Sequence, residues 1–403
     1  MLLYWLWFAE LKNISLQQKH GLLAQAGDPE TLYHSQIDRW DIPEKAKVAL
    51  QDKSLQTAEK ILRDCKAKGI GVLPVADSAY PARLRNTHDA PLVLYYKGIL
   101  PDWDGVPFIG AVGTRKASLY GLQVARRLAG QITRSGGCII SGGAAGADTA
   151  AMQGGLDAGG PVVGVLGGGV DVVYPRNNKN LFAAVTENGC LLSEYPPGAE
   201  PLPWNFPARN RIISGISSGV LVVEAPQKSG ALITARYAME QGRDVFVVPG
   251  NIDNASCAGS NLLLQEGATP VFSGWDVLES YEFLYPGKLK KHNTEPLYAR
   301  REPEARVAET VSAPTPKSEN GTTARKNSID NGPVSTYSVL KNEQIALNGD
   351  EQAVIALLTD TPQEPAELMA KLSLPSGKVL SALTMLAVKG LVQKHPGGRV
   401  SLK

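Results

Sequence analysis

The chain has 403 residues, more than one ordinary domain accommodates, so two or three domains are expected. Its 41 basic and 39 acidic side chains leave a net charge of +2, and 43% of residues are hydrophobic, the composition of a soluble globular protein. Near neutrality excludes a uniformly basic nucleic-acid binder, so any such partner has to be met by locally concentrated cations. The four cysteines (Cys65, Cys138, Cys190, Cys257) stand far apart without a CxxC or Cys/His cluster. That spacing excludes the common zinc patterns and suits a reducing compartment.

The apolar start from Met1 to Phe8 is followed at once by Glu10 and Lys12. It is too short to span a bilayer and lacks a basic leader and a small-residue cleavage site, so a packed helix in a cytoplasmic protein is expected. Short helices are predicted through residues 1–80, at Tyr4–Lys12, Leu16–Ala26, Pro29–His34, Pro43–Leu50 and Leu55–Lys68. Over 81–287 the pattern alternates. Apolar runs at Phe108–Val112, Cys138–Ser141, Val162–Leu166, Cys190–Glu194, Val220–Glu224 and Val245–Val248 are separated by helical stretches such as Leu119–Ser135 and Asp148–Ala158. Continuous apolar strands between helices indicate an α/β, Rossmann-like domain with a mostly parallel sheet covered on both faces.

From residue 288 to 349 Pro, Ser, Thr, Asn, Lys and Glu dominate without apolar periodicity, the composition of a flexible linker. Order is expected again over 350–403. Three helices, ending with Pro375–Lys389, precede two short strands around His395-Pro-Gly-Gly, the outline of a winged helix.

In a doubly wound sheet, ligands bind beyond the carboxyl ends of the strands. There the sequence places Gly110-Ala-Val-Gly-Thr-Arg115 with Lys116, then Ser141-Gly-Gly-Ala-Ala-Gly-Ala-Asp148, then Gly167-Gly-Gly-Val-Asp171. Glycines let the backbone approach an anion and aim N–H groups at it, although each loop is also open to a plain reading as a tight strand-to-helix turn. On the first reading Gly113, Ser141, Gly142 and Gly143 donate to phosphate. No Walker loop occurs, and the Gly110 loop lacks the spacing and the ribose-binding acid of a dinucleotide site, so a nucleotide-binding or nucleotide-hydrolysing enzyme stands as the alternative. Carboxylates end several strands, at Asp148, Asp171, Glu194 and Glu224, but residues 107–280 hold no histidine to serve a nucleophile. Catalysis is not expected, and neither is a cofactor.

The densest basic segment is Asn205-Phe-Pro-Ala-Arg209-Asn-Arg211. Two arginines are expected at the start of a helix, where the dipole disfavours cations unless an anion such as phosphate compensates. A carboxylate partner is the other reading. Asn210 lies between the arginines, Phe206 and Trp204 offer rings to stack on bases, and Lys228 precedes the helix start at Ser229.

These segments resemble the DNA-processing protein A family (DprA, also called Smf). The shared residues are Val112-Gly-Thr-Arg115, Ser141-Gly-Gly-Ala-Ala-Gly-Ala-Asp148, Phe206-Pro-x-Arg-Asn-Arg-Ile-Ile-Ser214, Ser229-Gly-Ala-Leu-Ile-Thr-Ala-Arg236 and Val248-Pro-Gly-Asn251, in order along residues 65–285. The resemblance implies a protein of natural transformation that binds incoming single-stranded DNA, shields it and loads the RecA recombinase. It further implies a homodimer through the Rossmann-like domain and a sterile-alpha-motif-like N-terminal domain. It places Arg115 at a DNA-contacting position and expects contact from at least one of Arg209 and Arg211. The last predicted helix carries only Lys378 and Lys389, and the hairpin adds Lys394, His395 and Arg399, which leaves DNA and protein targets equally open.

Overall fold

The computed structural model describes residues 1–37, 40, 42–292, 347–372, 374, 376–395 and 399–402. Most of the segment expected to be a linker lies outside the described residues, as does the hairpin tip 396–398. The described residues up to His292 form one compact unit, and those from Leu347 onward form a second.

Five helices open the first unit: α1 (Leu2–Glu10), α2 (Leu16–Ala26), α3 (Pro29–His34), α4 (Glu44–Gln51) and α5 (Gln56–Lys68). Helix α1 buries Trp5, Leu6, Trp7 and Phe8 in succession, which explains its lack of a polar face. A capping box starts α2. The Ser15 hydroxyl accepts from the Gln18 N–H at 3.2 Å, and the Gln18 side chain accepts from the Ser15 N–H at 2.9 Å.

The sheet has nine strands: β1 (Gly71–Pro74), β2 (Val93–Gly98), β3 (Phe108–Val112), β4 (Cys138–Ser141), β5 (Val162–Val165), β6 (Cys190–Ser193), β7 (Gly219–Val222), β8 (Asp244–Val247) and β9 (Thr269–Pro270). Their spatial order is β1-β2-β6-β5-β4-β3-β7-β8-β9. From β6 to β9 every pairing is parallel; β1 and β2 add an antiparallel edge, with Tyr96 opposite Leu192. The short helix α6 (Ala82–Arg85) lies between β1 and β2. Crossover helices α7 (Leu119–Arg134), α8 (Ala147–Asp157), α9 (Lys179–Glu187), α10 (Asn205–Ile216) and α11 (Gly230–Glu240) follow β3, β4, β5, β6 and β7 in turn, and α12 (Ala258–Gln265) and α13 (Gly274–Leu278) flank β9. Central strands β3 to β7 are buried along their whole length, which is why they read as unbroken apolar runs. Chain order runs outward from β3 to β6 on one side and restarts at β7 on the other. The crevice where α/β folds bind ligands therefore opens between the loops after β3 and β7.

Strand β1 lies within the segment expected to be purely helical. Trp5, Leu6 and Phe8 of α1 belong to the same continuous core as Tyr95 of β2 and Ile109 of β3. Among the described residues no helix is long and apolar enough to cross a membrane.

The second unit contains α14 (Gly349–Ile355), α15 (Pro365–Lys371), α16 (Ser376–Val388) and the antiparallel pair β10 (Val392–Lys394) and β11 (Val400–Leu402). Val354, Leu368, Val379, Leu386 and Val400 close a core of its own, giving the expected winged helix.

Candidate nucleic-acid interface

At the switch point a cleft of about 410 Å³ is lined from three directions. The loop after β3 contributes Gly113, Thr114, Arg115 and Lys116. The start of α10 contributes Phe206, Pro207, Arg209 and Asn210, and the loop after β7 contributes Lys228 and Ser229. Seven of the residues expected from sequence are thus brought together, from segments more than a hundred positions apart.

The rim is cationic and unneutralised. Arg115, Lys116 and Lys228 are exposed, and among the described residues none of them is in an ion pair. The Arg115 guanidinium lies over the Phe206 ring at 5.1 Å, and Phe206 stands 5.5 Å from the Tyr174 ring. That stack sets one positive charge over a half-buried ring with a second ring beside it. Tyr174, which is 44% exposed, was not singled out by sequence because only the fold carries its loop over to Phe206. Asn210 is buried, and its side-chain N–H donates to the Gly230 carbonyl at 3.1 Å, tying α10 to the start of α11.

The floor differs from expectation. Helix α10 begins at Asn205, with Pro207 inside its first turn, so Arg209 and Arg211 lie one and two turns in, beyond the strongest part of the dipole. The expectation that both guanidinium groups await phosphate does not hold in this structure. Arg209 is 3% exposed and donates to the carbonyls of Gly142, at 2.6 Å, and Val165. Burial pushes its guanidinium down to about 10, with the Asp148 carboxylate opposing that shift and Arg115 reinforcing it. A Cβ on Gly142 would stand 2.5 Å from this guanidinium, so Gly142 is required for close approach.

Arg211 turns away from the cleft. Its Nη2 donates to both Glu194 oxygens at 2.8 and 2.9 Å, and its Nε lies 3.2 Å from Asp89. Carboxylates supply the anion that the sequence pattern called for. Arg211 lines a separate cavity of about 290 Å³ with Glu10, Lys19, Tyr95 and Glu194, beneath the N-terminal helices. There the Lys19 ammonium donates to the Ala9 carbonyl at 2.7 Å, and burial pushes it down to about 8 against the pull of Glu10 and Glu194.

Several expected phosphate donors are also engaged within the protein. The Ser141 hydroxyl is fully buried and donates to the Ala111 carbonyl at 2.6 Å. The Ala144 N–H donates to Asp148 at 3.4 Å. Asp148 is buried in the first turn of α8, and its carboxyl is raised by burial against the pull of Arg209 and that N–H group. Gly143 passes its carbonyl to the Asn178 side chain at 2.9 Å and, with Ser141 and Gly142, is not among the residues lining the cleft. Glu224, 1% exposed beyond β7, accepts from the Ser118 N–H at 2.9 Å and the Ser118 hydroxyl at 2.5 Å at the start of α7.

In the winged helix, Asp350 lies 3.5 Å from Lys378 and Glu351 2.5 Å from Lys389, while α16 exposes Leu380 and Met385. Both of these lysines face acids of α14 within the same unit. Among the described residues no His/Cys/Asp/Glu group is arranged to hold a metal.

Comparison with known proteins agrees with this architecture. Residues 71–282 match the family described as DNA recombination-mediator protein A, and residues 341–398 match the DprA winged helix domain. The chain is 41% identical over 220 residues to the DNA processing protein DprA of Bacillus subtilis, covering 55% of this chain and 74% of that one. It is 32% identical over 406 residues to the protein Smf of a Synechocystis strain, covering 98% and 97%. The crystal structure of DNA processing protein A from Streptococcus pneumoniae superposes with a TM-score of 0.62 at 34% identity, over 72% of this chain and 99% of that one. With its helical N-terminal segment, its Rossmann-like sheet and its winged helix in this order, the chain belongs to the DNA recombination-mediator protein A (DprA/Smf) family.

Proposed function

We propose that this chain binds single-stranded DNA without catalysis and largely without sequence preference. In this reading it acts in the cytoplasm during natural transformation, shields the incoming strand and loads RecA onto it. One observation carries the reading. Three exposed cations that have no acidic partner among the described residues, Arg115, Lys116 and Lys228, rim a single cleft that also presents the Phe206 ring. Cations without acidic partners answer a phosphate backbone, and a ring that any base can cover favours unstacked bases over a duplex. The one carboxylate lining the cleft, Asp148, is buried against Arg209 and the Ala144 N–H, which suits a structural role better than acid–base work. The family's DNA-processing role is consistent with this ligand.

Titrating labelled oligo-dT and a duplex of equal length across salt concentrations tests the reading. Tighter binding of the single strand with a steep salt dependence is expected; equal affinity for both forms, or a flat salt response, refutes it. RecA loading is read separately, as faster RecA filament formation on strands already coated by single-strand-binding protein. The homodimer belongs to the same reading. Packing along the β9 edge would cover Met239, Leu262 and Phe272, which are 46%, 44% and 46% exposed. Light scattering that finds only monomer at micromolar concentration removes it.

A further inference from the structure

Rossmann-like folds hold nucleotide phosphates at the N-termini of the helices that follow the first strands, on N–H groups presented by glycine-rich loops. Here those positions correspond to the starts of α7 and α8, and each already meets an anion belonging to the protein. At α7, Ser118 caps the helix by accepting from the Gly121 N–H at 3.0 Å, and its own N–H and hydroxyl are taken by Glu224. The fit is close. A Cβ on Gly121 would stand 2.5 Å from the Glu224 carboxyl carbon. At α8, Asp148 accepts the Ala144 N–H at 3.4 Å, and it lines the cleft beside Gly113 of the loop after β3. Both carboxylates are buried; Asp148 lines the cleft, and Glu224 stands against Ser118 at the start of α7.

Resting on the proposed single-strand binding, we propose that Glu224 and Asp148 are specificity-determining residues, resident anions that occupy this fold's phosphate positions and so exclude free nucleotides. A phosphate entering either position would lose the N–H donors and meet a like charge at short range in a poorly screened site. A polynucleotide avoids both penalties, because its phosphates need only reach the outward-pointing Arg115, Lys116 and Lys228. Its bound length then multiplies contacts that a monomer makes once. The crest selects a polymer over its monomers by being filled from within.

The test is displacement of labelled oligo-dT from the full chain by dTMP, ADP or inorganic phosphate at millimolar concentration, with ionic strength matched by chloride. The native chain should show no displacement beyond the chloride control. Displacement of the native chain by any of the three overturns the proposal. Glu224→Gln and Asp148→Asn remove one charge each at nearly constant volume. Either variant, if folded by circular dichroism, should bind dTMP or phosphate at least tenfold more tightly than the native chain while still binding oligo-dT. Glu224→Asp, which keeps the charge, should remain blind to nucleotides. Folded neutral variants that gain no nucleotide affinity overturn the proposal, and so does a gain in Glu224→Asp equal to that in Glu224→Gln. A native chain that never binds oligo-dT refutes instead the reading on which the proposal rests.

Discussion

The rim and the floor of the cleft both carry arginines from glycine- and proline-marked segments, yet they are put to different uses. Arg115, on the rim, is exposed and has a ring beneath it but no acid beside it. Arg209, on the floor, and Arg211, turned away from the cleft, are both buried on α10 and engaged by the Gly142 and Val165 carbonyls and by Glu194 and Asp89 respectively. Charge alone does not identify a binding residue. What matters is whether the protein has already answered that charge.

The largest effect expected from this contrast is on folding. Arg209→Met should cost about 3–5 kcal/mol, because Asp148 loses its buried counter-charge and two carbonyls lose their donor; urea unfolding measures it. A loss below 1 kcal/mol would move Arg209 to the rim class. Arg211→Met should cost less, about 1–3 kcal/mol, since Asp89 and Glu194 are partly solvated and tolerate its removal better. Its affinity for oligo-dT, measured in the folded fraction, should stay within about twofold. Arg115→Ala should do the reverse. Stability is expected to hold within about 0.5 kcal/mol, while oligo-dT affinity falls about tenfold for every sequence and the salt slope drops by about 0.7. Lys228→Ala should lower affinity by a smaller factor, about threefold, because its four-carbon stem holds no fixed geometry against a ring.

A slope in pH rather than a fixed loss is expected beneath the N-terminal helices. Lys19 titrates near 8 when folded and near 10.5 when unfolded, so between those values the unfolded chain binds more protons. Stability contributed by this residue therefore rises with pH across that window, by at most about 1.4 kcal/mol per pH unit, and below pH 8 the full cost of burying the charge remains. Subtracting the unfolding curves of Lys19→Met from those of the native chain between pH 8 and 10.5 isolates this slope. A zero difference would mean that Lys19 is solvated.

Much of the fold was legible in the chain. Strands β3 and β4 fall where their apolar runs predict, and α2 and α3 match their predicted spans residue for residue. Strand β9 is two residues long, too short to show periodicity, and β1 presents only two of its four residues to the core. Strand β2 is a sound apolar run, but its antiparallel place beside β6 is a long-range pairing that local pattern does not encode. The start of α10 was misjudged because Pro207 reads as a turn residue, although a first helical turn accepts proline. At the site, the sequence named Gly113, Arg115, Lys116, Phe206 and Lys228, all of which line the cleft. It also named Ser141, Gly142 and Gly143 as donors, whereas the fold turns Ser141 inward and packs Gly142 under Arg209.

By itself, then, the sequence determined the order of elements, the burial of the parallel strands and the positions of the glycine-bearing loops, because apolar periodicity and local turn chemistry are written within a few residues. The tertiary structure alone decided which charges face solvent. Arg209 meets the Gly142 and Val165 carbonyls, Arg211 meets Glu194 and Asp89, and Glu224 meets Ser118 through contacts between residues 17 to 122 positions apart. Neutralising a buried charge depends on distance and dielectric in three dimensions, and spacing along a chain carries neither.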